Sequence, residues 1–430
     1  MSFSKKTIKD IELSGKKVLL RTDYNVPLSS KGEIEDDYRI VQSLPTIRYL
    51  LENGASVILC SHLGRPDGKV TPAFSLFPVA KRLQKLLGVD VEFVPETVGE
   101  RAQKAAAKLQ KGQVLLLENL RFQAAEENND ADFGAQLASL ADVFVQDGFG
   151  VVHRAHASTD AVTRTIQSVA GLLLEREVDT ITEVMEKPEK PLVAVIGGAK
   201  ITDKIEVLRR LIAIADVVVV GGAMANTFLQ AKGIRIGKSK TEAAELPLAK
   251  EIIAEAMAEQ KKRNFVFYLP QDGVVASKVD PKAPTRIVDW SAHVIAEIEA
   301  YPKRPAHSAS QVKDDELILD VGPFSGAFIA GVMQLAKTVV WNGSLGVTET
   351  RGLQGPIGPT AHGTELLIEA ILGQFGNRPF SLVGGGDTVA FVESMGLVDS
   401  FNHVSTGGGA SLELMSGKKL PGVEALIDKG

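Results

Sequence analysis

Residues 195–208 read VIGGAKITDKIEVL and contain the end of a strand, a glycine turn and the start of a helix. The apolar run from Leu192 to Ile196 has the length of a strand and no helical period. The pair Gly197-Gly198 breaks this run, and a helical pattern starts near Ile201. A strand that passes through a glycine turn into a helix is the repeating unit of a parallel sheet covered by helices.

Two lysines, Lys200 and Lys204, lie at this junction. Placed on the first turn of a helix, residues four apart share one face, where free backbone N–H groups attract anions. A lysine at a helix N-terminus opposes the helix dipole unless a negative ligand lies beside it. The junction therefore indicates a phosphate site, and the alternative is an ordinary glycine turn with two solvated lysines.

Length and composition limit the class of protein. A chain of 430 residues exceeds the roughly 250–300 residues that one core usually supports, so we expect at least two domains. A net charge of -5 disfavours a nucleic-acid binder. The single cysteine, Cys60, cannot form an intramolecular disulfide, and the first ten residues lack the apolar segment of a secretory signal. No apolar run has the roughly 18 residues of a membrane span, so we expect a cytoplasmic protein without a membrane partner.

Short apolar runs alternate with helical segments along the chain, which predicts parallel sheets with helices on both faces. Ligands of such sheets bind at the carboxyl ends of the strands. Nearly all of the predicted strand ends are polar or rich in glycine: RTDYNVP (21–27), SHLGRPDG (61–68), ENLRF (118–122), QDGFGVVHRAH (146–156), GGAK (197–200), GGAM (221–224), DVGP (320–323), WNGS (341–344), GGGDT (384–388) and STGGG (405–409).

These strand ends differ between the two halves of the chain. Before about residue 170 they, or the turns next to them, carry cations that suit a small polyanion, namely Arg39, His62, Arg65, Arg121, Arg154 and His156. After residue 190 they carry glycines, two lysines and Asp387, which suit a nucleotide held by backbone N–H groups and a metal ion. We therefore expect two doubly wound α/β domains, joined by a helix within residues 175–190 that Pro188 and Pro191 terminate.

The GGGDT sequence at 384–388 is a second candidate phosphate site. Three glycines let the backbone approach a phosphate, while Asp387 can hold Mg²⁺ and Thr388 can donate its hydroxyl. The alternative is a tight turn in which Asp387 caps the helix. No P-loop motif is present, and no complete G-x-G-x-x-G sequence follows a strand, so other nucleotide-binding motifs are disfavoured.

The polar residues of the first half also fit structural roles that involve no ligand. Any one of the arginines fits a surface salt bridge, but four at matching strand ends favour a ligand. Asp23 and Asn25 can cap the turn before Pro27, or they can form hydrogen bonds with the hydroxyls of a small substrate. His153 fits a partly buried structural histidine, whereas His62 lies in SHLGR and is placed to contact a ligand.

Together these segments resemble the phosphoglycerate kinase family along essentially the whole chain. The matching segments, in family order, are RTDYNVPL, SHLGRPDG, LLLENLRF, DGFG with HRAHAST, GGAKITDKI, GGAMANTFL, TVVWNG, VGGGDTVA and STGGGASLELMSGKKLPG. The resemblance implies two Rossmann-like domains joined by a hinge helix. Residues 1–172 plus 405–430 would form a phosphoglycerate-binding domain, 173–190 the connecting helix, and 191–404 a nucleotide-binding domain.

The resemblance also implies a reaction and its residues. The reaction is reversible phosphoryl transfer between 1,3-bisphosphoglycerate and MgADP, giving 3-phosphoglycerate and MgATP in glycolysis and gluconeogenesis, catalysed by a monomer. The implied phosphoglycerate site consists of Asp23, Asn25, Arg39, His62, Arg65, Arg121 and Arg154. The implied nucleotide site consists of Lys204, Gly322, Asn342, Glu349, Gly385, Gly386, Asp387 and Thr388, with Asp387 nearest the metal. The implied catalytic groups are Arg39, Lys200, Gly385 and Gly386.

The chain also departs from the family pattern. The departures are Ser344, Thr348, 324–326, Gly148, 151–152 and the long connection 279–316. Most of them lie on the nucleotide side, so we expect them to affect nucleotide affinity or base preference more than phosphoglycerate binding. Two other functions fit the residues: a kinase of this fold that acts on a related acyl phosphate, and a divergent paralogue with a binding or regulatory role.

Overall fold

The computed structural model describes residues 3–280, 282–291, 311–348 and 360–430. The chain divides into two compact units. The N-unit consists of Met1–Thr182, Thr406–Leu414 and Lys418–Gly430, and the C-unit consists of Glu183–Ser405 and Met415–Gly417. Each unit contains a parallel sheet flanked by helices, which confirms the predicted two-domain α/β class. The ligand assigned to each domain stays a prediction at this level, because packing alone identifies no ligand.

The elements are given in chain order. The strands are β1 (Lys17–Arg21), β2 (Ser56–Cys60), β3 (Val91–Val94), β4 (Val114–Leu117), β5 (Val143–Gln146), β6 (Gln167–Ala170), β7 (Leu192–Ile196), β8 (Val217–Val220), β9 (Val266–Tyr268), β10 (Asp272–Ala276), β11 (Arg286–Asp289), β12 (Leu317–Val321), β13 (Thr338–Asn342), β14 (Phe380–Gly384) and β15 (His403–Val404). The α-helices are α1 (Tyr38–Glu52), α2 (Phe77–Leu87), α3 (Glu100–Lys108), α4 (Ala124–Glu127), α5 (Ala131–Ala138), α6 (Leu172–Glu186), α7 (Ile205–Ile214), α8 (Gly222–Ala231), α9 (Leu246–Gln260), α10 (Pro323–Met333), α11 (His362–Ile371), α12 (Gly386–Ser394), α13 (Gly409–Met415) and α14 (Pro421–Glu424). Short 3-10 helices lie at Pro72–Phe74, Leu120–Phe122, Phe149–Val151, Ala161–Arg164, Ala243–Glu245 and Val398–Ser400.

The N-unit sheet has the strand order β3-β4-β2-β1-β5-β6, and its strands are parallel. The central strand β1 is apolar on both faces, as a sheet covered by helices requires. Val18 and Leu20 enter one core, while Leu19 enters a second core together with Ile58 and Phe144. Because β1 has β2 on one side and β5 on the other, the strand order reverses at β1. The carboxyl end of β1 is therefore the expected position of a ligand site.

The C-unit is built on a second parallel sheet, with the order β15-β14-β13-β7-β8-β9. Strand β7 pairs with β8 and β13, and the register sets Ile196 opposite Asn342. The glycine turns predicted after β7, β8, β13 and β14 therefore lie at one edge of this sheet. Helix α6 occupies the predicted connector and ends at Glu186, shortly before Pro188.

One part of the C-unit differs from the expected parallel arrangement. Strands β10, β11 and β12 form a separate antiparallel sheet in the order β11-β10-β12, so the DVGP strand end belongs to this sheet. Arg286 fixes β11 by donating two hydrogen bonds to the Glu316 carboxylate, at 2.7 and 2.5 Å. The long connection 279–316 contributes β11 to this sheet, and its residues 281 and 292–310 lie outside the described residues.

Within the described ranges, none of the helices has the length and apolar character of a membrane span.

Glycines allow the strand ends of the C-unit to touch through their backbones. Gly343 has a φ of +104°, and a Cβ built there would overlap the carbonyl group of Gly197. A Cβ on Gly222 would lie 2.5 Å from the amide nitrogen of Gly198. The ends of β7, β8 and β13 therefore converge more closely than residues with side chains would permit.

We expect Gly343→Ala to lower the free energy of unfolding by about 2 kcal/mol or more, because alanine disfavours positive φ and its Cβ meets backbone. The same substitution at Gly331 is the matched control. Gly331 lies in α10 and has open space around it, so Gly331→Ala should stabilise the protein by about 0.5–1 kcal/mol. Urea denaturation of both variants tests the argument, and equal effects would contradict it.

Candidate functional site

The N-unit gathers charged side chains at the carboxyl end of β1. The Asp23 carboxylate accepts a hydrogen bond from Arg39, with 3.0 Å between Nη1 and Oδ2. His62 Nδ1 lies 3.9 Å from the other carboxylate oxygen of Asp23. Burial raises the pKa of Asp23, but the charge of Arg39 and the other neighbours outweighs burial, so the pKa is about 2. Asp23 is therefore ionised and orients Arg39 at the mouth of the site.

His62 is a neutral member of this cluster. Burial lowers the pKa of His62 well below its ordinary value, and the charges of Arg21, Arg121 and Arg39 lower it further, whereas Asp23 opposes the shift. A neutral imidazole can donate one hydrogen bond and accept another. His62 is thus suited to contact a polar group of a ligand without adding charge.

Two predicted arginines face solvent. Arg65 and Arg154 are exposed, and neither forms a salt bridge with another described residue. The surface salt bridge that was the alternative for an isolated arginine therefore does not apply to these two. Exposed guanidinium groups without carboxylate partners are free to bind phosphate or carboxylate.

The last two predicted residues, Asn25 and Arg121, form hydrogen bonds with a loop at the same edge of the sheet. Asn25 is exposed, and its Oδ1 accepts a hydrogen bond from the Gly64 amide at 2.9 Å. Arg121 is buried in a 3-10 helix and donates from Nη1 to the Gly64 carbonyl at 2.8 Å. These bonds tie the SHLGR loop to the ends of β1 and β4. The N-unit thus brings together all seven residues predicted for its site around neighbouring strand ends.

Sequence reasoning missed a buried group behind this edge. Arg21 is 1% exposed, its Nε donates to Ser158 Oγ at 2.8 Å, and its Nη2 lies 3.8 Å from Glu126 Oε1. Glu126 is fully buried and also accepts hydrogen bonds from the Ser158 amide and hydroxyl. The position of Arg21 at a strand end was a visible signal, but nothing in the sequence connects it with Glu126. Arg21 Nη2 also lies 3.5 Å from His62 Nδ1, so this compensated pair lies directly behind the histidine.

The HRAH segment contributes histidines that are neutral at pH 7. Burial lowers the pKa of His156 to about 4, and the charges of Arg21, Arg121 and Arg154 add to this effect. Burial also lowers the pKa of His153, whose Nδ1 is buried without a hydrogen-bond partner among the described residues. A backbone hydrogen bond with Gly150 opposes this shift, so the expected structural role of His153 stays a prediction.

In the C-unit, Lys204 binds the ends of two strands. Its Nζ donates to the Gly197 carbonyl at 2.5 Å and to the Asn342 carbonyl at 3.1 Å. Burial lowers the pKa of Lys204 to about 8, although Asp387 and Asp203 oppose the shift. Lys204 therefore fixes a partly buried positive charge at the ends of β7 and β13.

The lysine pair is not on one turn of a helix, so that expectation was wrong. Helix α7 begins at Ile205, with Lys204 as the preceding residue, and Lys200 lies exposed in the loop before it. The Glu242 carboxylate accepts hydrogen bonds from the Ile201 amide at 2.5 Å and from the Thr202 hydroxyl at 3.2 Å. These bonds hold residues 201–204 in a turn, which delays the start of the helix.

The GGGDT segment forms the predicted junction between β14 and α12. Gly385 precedes α12 with a φ of +95°, and a Cβ on Gly386 would meet open space. Gly385 is the N-cap of α12, and Asp387 lies exposed in the first helical turn, so Asp387 does not occupy the N-cap position that was its alternative role. Thr388 is buried, and its Oγ1 accepts a hydrogen bond from the Gly343 amide at 2.7 Å.

Asn342 lies next to this junction. Its side-chain amide is buried, and neither Oδ1 nor Nδ2 has a hydrogen-bond partner among the described residues. A Cβ on Gly385 would lie 3.0 Å from Asn342 Oδ1. Because buried polar groups are normally paired, this amide indicates a place where a ligand supplies the missing partner.

A cavity of about 410 Å³ lies within the C-unit. Its lining includes Gly198, Gly222 and Asp387, as well as an apolar wall that contains Leu319 and Val347. A mostly apolar cavity of this size with glycine loops at its wall has the character of a small-molecule site. Among the described residues predicted for the nucleotide site, Asp387 is the one that lines the cavity.

One predicted nucleotide residue lies away from the cavity, and another is not among the described residues. Gly322 precedes α10, where a Cβ would overlap the Asp272 carboxylate, and it is not part of the cavity lining. Glu349 lies outside the described residues.

The residues fit Mg²⁺ brought in by a nucleotide. Mg²⁺ in such sites is bound by one or two carboxylates and the phosphates of the substrate, and it keeps several water ligands. Asp387 offers one exposed carboxylate on the cavity wall. The described residues contain no group of three or more His, Cys, Asp or Glu that could hold a metal alone.

Comparisons with known proteins agree on one family. A family model described as phosphoglycerate kinase matches residues 8–418. Relatives named phosphoglycerate kinase from Koribacter versatilis and Moorella thermoacetica are 46% and 47% identical, each over 99% of this chain and 100% of the relative. A wheat relative named cytosolic phosphoglycerate kinase is 45% identical over 98% of this chain and 97% of its own length.

Solved structures give the same result. Phosphoglycerate kinase from Coxiella burnetii is 37% identical with a TM-score of 0.79, over 98% of both chains. Phosphoglycerate kinase from Pyrococcus horikoshii is 28% identical with a TM-score of 0.80, again over 98% of both chains.

A buried acid on the cavity wall gives a pH prediction. Asp320 accepts hydrogen bonds from the amides of Val321 and Gly363, both at 2.8 Å, yet burial raises its pKa to about 8. The folded state therefore favours the protonated acid. The stability that this group contributes is complete below its ordinary pKa of 3.8 and is lost as the pH rises towards 8.

We expect Asp320→Asn to reduce the fall in stability between about pH 5 and about pH 9, because the amide cannot ionise. Urea denaturation at both pH values measures the effect. Asp315→Asn, at an exposed position, is the control and should keep the wild-type pH dependence. Identical pH dependence in both variants would contradict the assignment.

Proposed function

The chain belongs to the phosphoglycerate kinase family, and we propose that its two units divide the substrates of the family reaction between them. The protein is a glycolytic kinase, a phosphotransferase with a carboxyl group as acceptor. We assign 3-phosphoglycerate and 1,3-bisphosphoglycerate to the N-unit, and MgADP and MgATP to the C-unit. The observation that carries this assignment is the contrast between exposed guanidinium groups at the N-unit strand ends and glycine loops with one carboxylate around the C-unit cavity.

The N-unit residues match the chemistry of 3-phosphoglycerate. Arg65 and Arg154 are exposed and lack salt bridges within the described residues, so they can bind the phosphate of the substrate. Asp23, Asn25 and His62 offer a carboxylate, an amide and a neutral imidazole for its hydroxyl and carboxylate groups. Arg121 is buried behind them and adds positive charge to the site.

The C-unit residues match a nucleoside phosphate. Gly385 and Gly386 lie at the N-terminus of α12, and a Cβ on Gly386 would meet open space, so a phosphate could approach this helix end closely. Lys204 supplies a fixed positive charge, and the unpaired amide of Asn342 supplies a donor and an acceptor. Asp387 would hold Mg²⁺, which neutralises phosphate charge when it is bound with the nucleotide.

In the ATP-consuming direction, a carboxylate oxygen of 3-phosphoglycerate attacks the γ-phosphorus of ATP. The bond from this phosphorus to the β,γ-bridging oxygen breaks, and ADP leaves with the bonding electron pair. The attacking carboxylate is already ionised at neutral pH, so no general base is required. This agrees with the neutral state of His62 and the ion-paired state of Asp23.

Catalysis in this proposal depends on position and charge. The transferred phosphoryl group carries negative charge on its three equatorial oxygens, which cations and N–H dipoles stabilise. Lys200 and Arg39 supply cations, while Gly385 and Gly386 supply amides. Because the acyl phosphate would react with water, we include hinge bending at residues 173–190 in the proposal as the means of excluding water.

The cellular setting is part of the same proposal. We propose a monomer in the cytosol. Cys60 is buried as a free thiol, and burial raises its pKa to about 12, which fits a reducing compartment and an unreactive side chain. The name of the wheat relative agrees with this location.

We expect Lys200→Ala to lower kcat for 3-phosphoglycerate and MgATP by about 100-fold with little change in either KM, because its charge acts mainly in the transition state. Lys261→Ala, at an exposed position after α9, is the matched control and should keep wild-type rates. A coupled steady-state assay gives both constants. A rise in KM with kcat unchanged would show that Lys200 only binds substrate.

We expect Arg65→Ala to raise KM for 3-phosphoglycerate by about tenfold and to leave KM for MgATP unchanged, because the charged hydrogen bonds lost belong to one substrate. Arg101→Ala, an exposed arginine on α3, is the control. Equal changes in both KM values would contradict the division of substrates between the two units.

A further inference from the structure

The C-unit cavity has walls of different chemistry. One part of the wall comes from the strand-end loops and carries Gly198, Gly222 and Asp387, which suit phosphate and its metal ion. Another part comes from the antiparallel sheet and its connections and carries Pro270, Trp290 and Ile318. Trp290 belongs to the long connection 279–316, which departs from the family pattern.

Trp290 is held firmly in this wall. Its Nε1 donates a hydrogen bond to the Pro270 carbonyl at 2.9 Å, and its backbone amide donates to the Gln271 carbonyl at 3.2 Å. The ring lies over Gly273, where a Cβ would come within 2.6 Å of Cη2. The indole is half-buried and, together with Ile318, packs against a small core of Val275, Val288 and Val312. Its orientation is therefore fixed before any ligand binds.

A fixed indole on a cavity wall is a suitable surface for a nucleotide base. Every base has a flat aromatic face, and stacking on an aromatic side chain contributes substantially to binding without requiring a particular hydrogen-bond pattern. Because Trp290 has already lost its rotational freedom, little further entropy is lost when a base stacks on it. A purine offers the larger face and should gain more than a pyrimidine.

We propose that Trp290 contacts the base of the bound nucleotide and determines how much affinity the base adds to that of the phosphates. The inference rests on the proposed function, since it takes the nucleotide as the ligand of this cavity. It gives the long connection a role in substrate binding. The opposing explanation is that Trp290 serves only the packing of the antiparallel sheet.

Intrinsic fluorescence can observe Trp290 directly. The chain contains two tryptophans, Trp290 and Trp341. Trp341 is fully buried in β13, and its Nε1 donates to the Gly343 carbonyl at 2.9 Å. We expect MgADP to change the emission of the wild-type protein. Most of this change should disappear in Trp290→Phe, because the remaining Trp341 lies away from solvent.

Calorimetry with two ligands separates the base from the phosphates. MgADP contains both, whereas magnesium pyrophosphate contains only the phosphates. We expect Trp290→Ala to weaken MgADP binding by about tenfold and to leave magnesium pyrophosphate binding unchanged. Unchanged binding of magnesium pyrophosphate would also show that the cavity of the variant is still folded. Trp290→Phe should recover much of the lost MgADP affinity, because phenylalanine keeps an aromatic face. Ile287→Ala, on the exposed side of β11 and outside the cavity lining, should match the wild type.

Each other result overturns the inference. Unchanged MgADP affinity in Trp290→Ala would mean that the base does not contact this ring. Equal loss of MgADP and magnesium pyrophosphate binding would mean that the indole only supports the structure. A wild-type protein that binds neither ligand would overturn the proposed nucleotide site itself, and the inference with it. Emission changes that persist undiminished in Trp290→Phe would mean that they arise from Trp341 and that bound MgADP does not contact Trp290.

Discussion

Direct backbone contact among the glycine loops of the C-unit is the constraint on which its site depends. Gly197, Gly222 and Gly343 have no side chains to separate them, so the ends of three parallel strands meet at one edge. This convergence puts two carbonyls within reach of Lys204 and brings the Gly343 amide to Thr388. Lys204 and Thr388 are thus positioned by glycines that contribute no side chain to the site.

In the N-unit, the site depends on which arginines are paired with carboxylates and which are not. Arginines at neighbouring strand ends repel one another, and their burial costs free energy unless carboxylates lie nearby. Glu126 compensates Arg21 beneath the surface, and Asp23 compensates Arg39 at the mouth. Arg65 and Arg154 remain without such partners in the described part of the chain. The compensated pairs order the site, and the uncompensated arginines leave it positive towards a polyanion.

Much of this arrangement could be predicted from the sequence because it follows local rules. The strands, the glycine turns after them and the grouping of cations before residue 170 were all visible in the order of residues. The start of α7 was missed because Glu242, about 40 residues away, holds the preceding turn. The antiparallel sheet and the Arg21–Glu126 pair were also missed, since both depend on contacts between distant segments. Sequence periodicity carries no information about such contacts.

Hydrogen–deuterium exchange with each ligand alone tests the central assignment most directly. The account predicts that 3-phosphoglycerate gives its strongest protection in peptides that cover 21–27, 61–68 and 118–122. MgADP should instead protect peptides that cover 197–204, 341–346 and 384–388. If either ligand gave its strongest protection in the other unit, the division of substrates between the two sheets would be wrong.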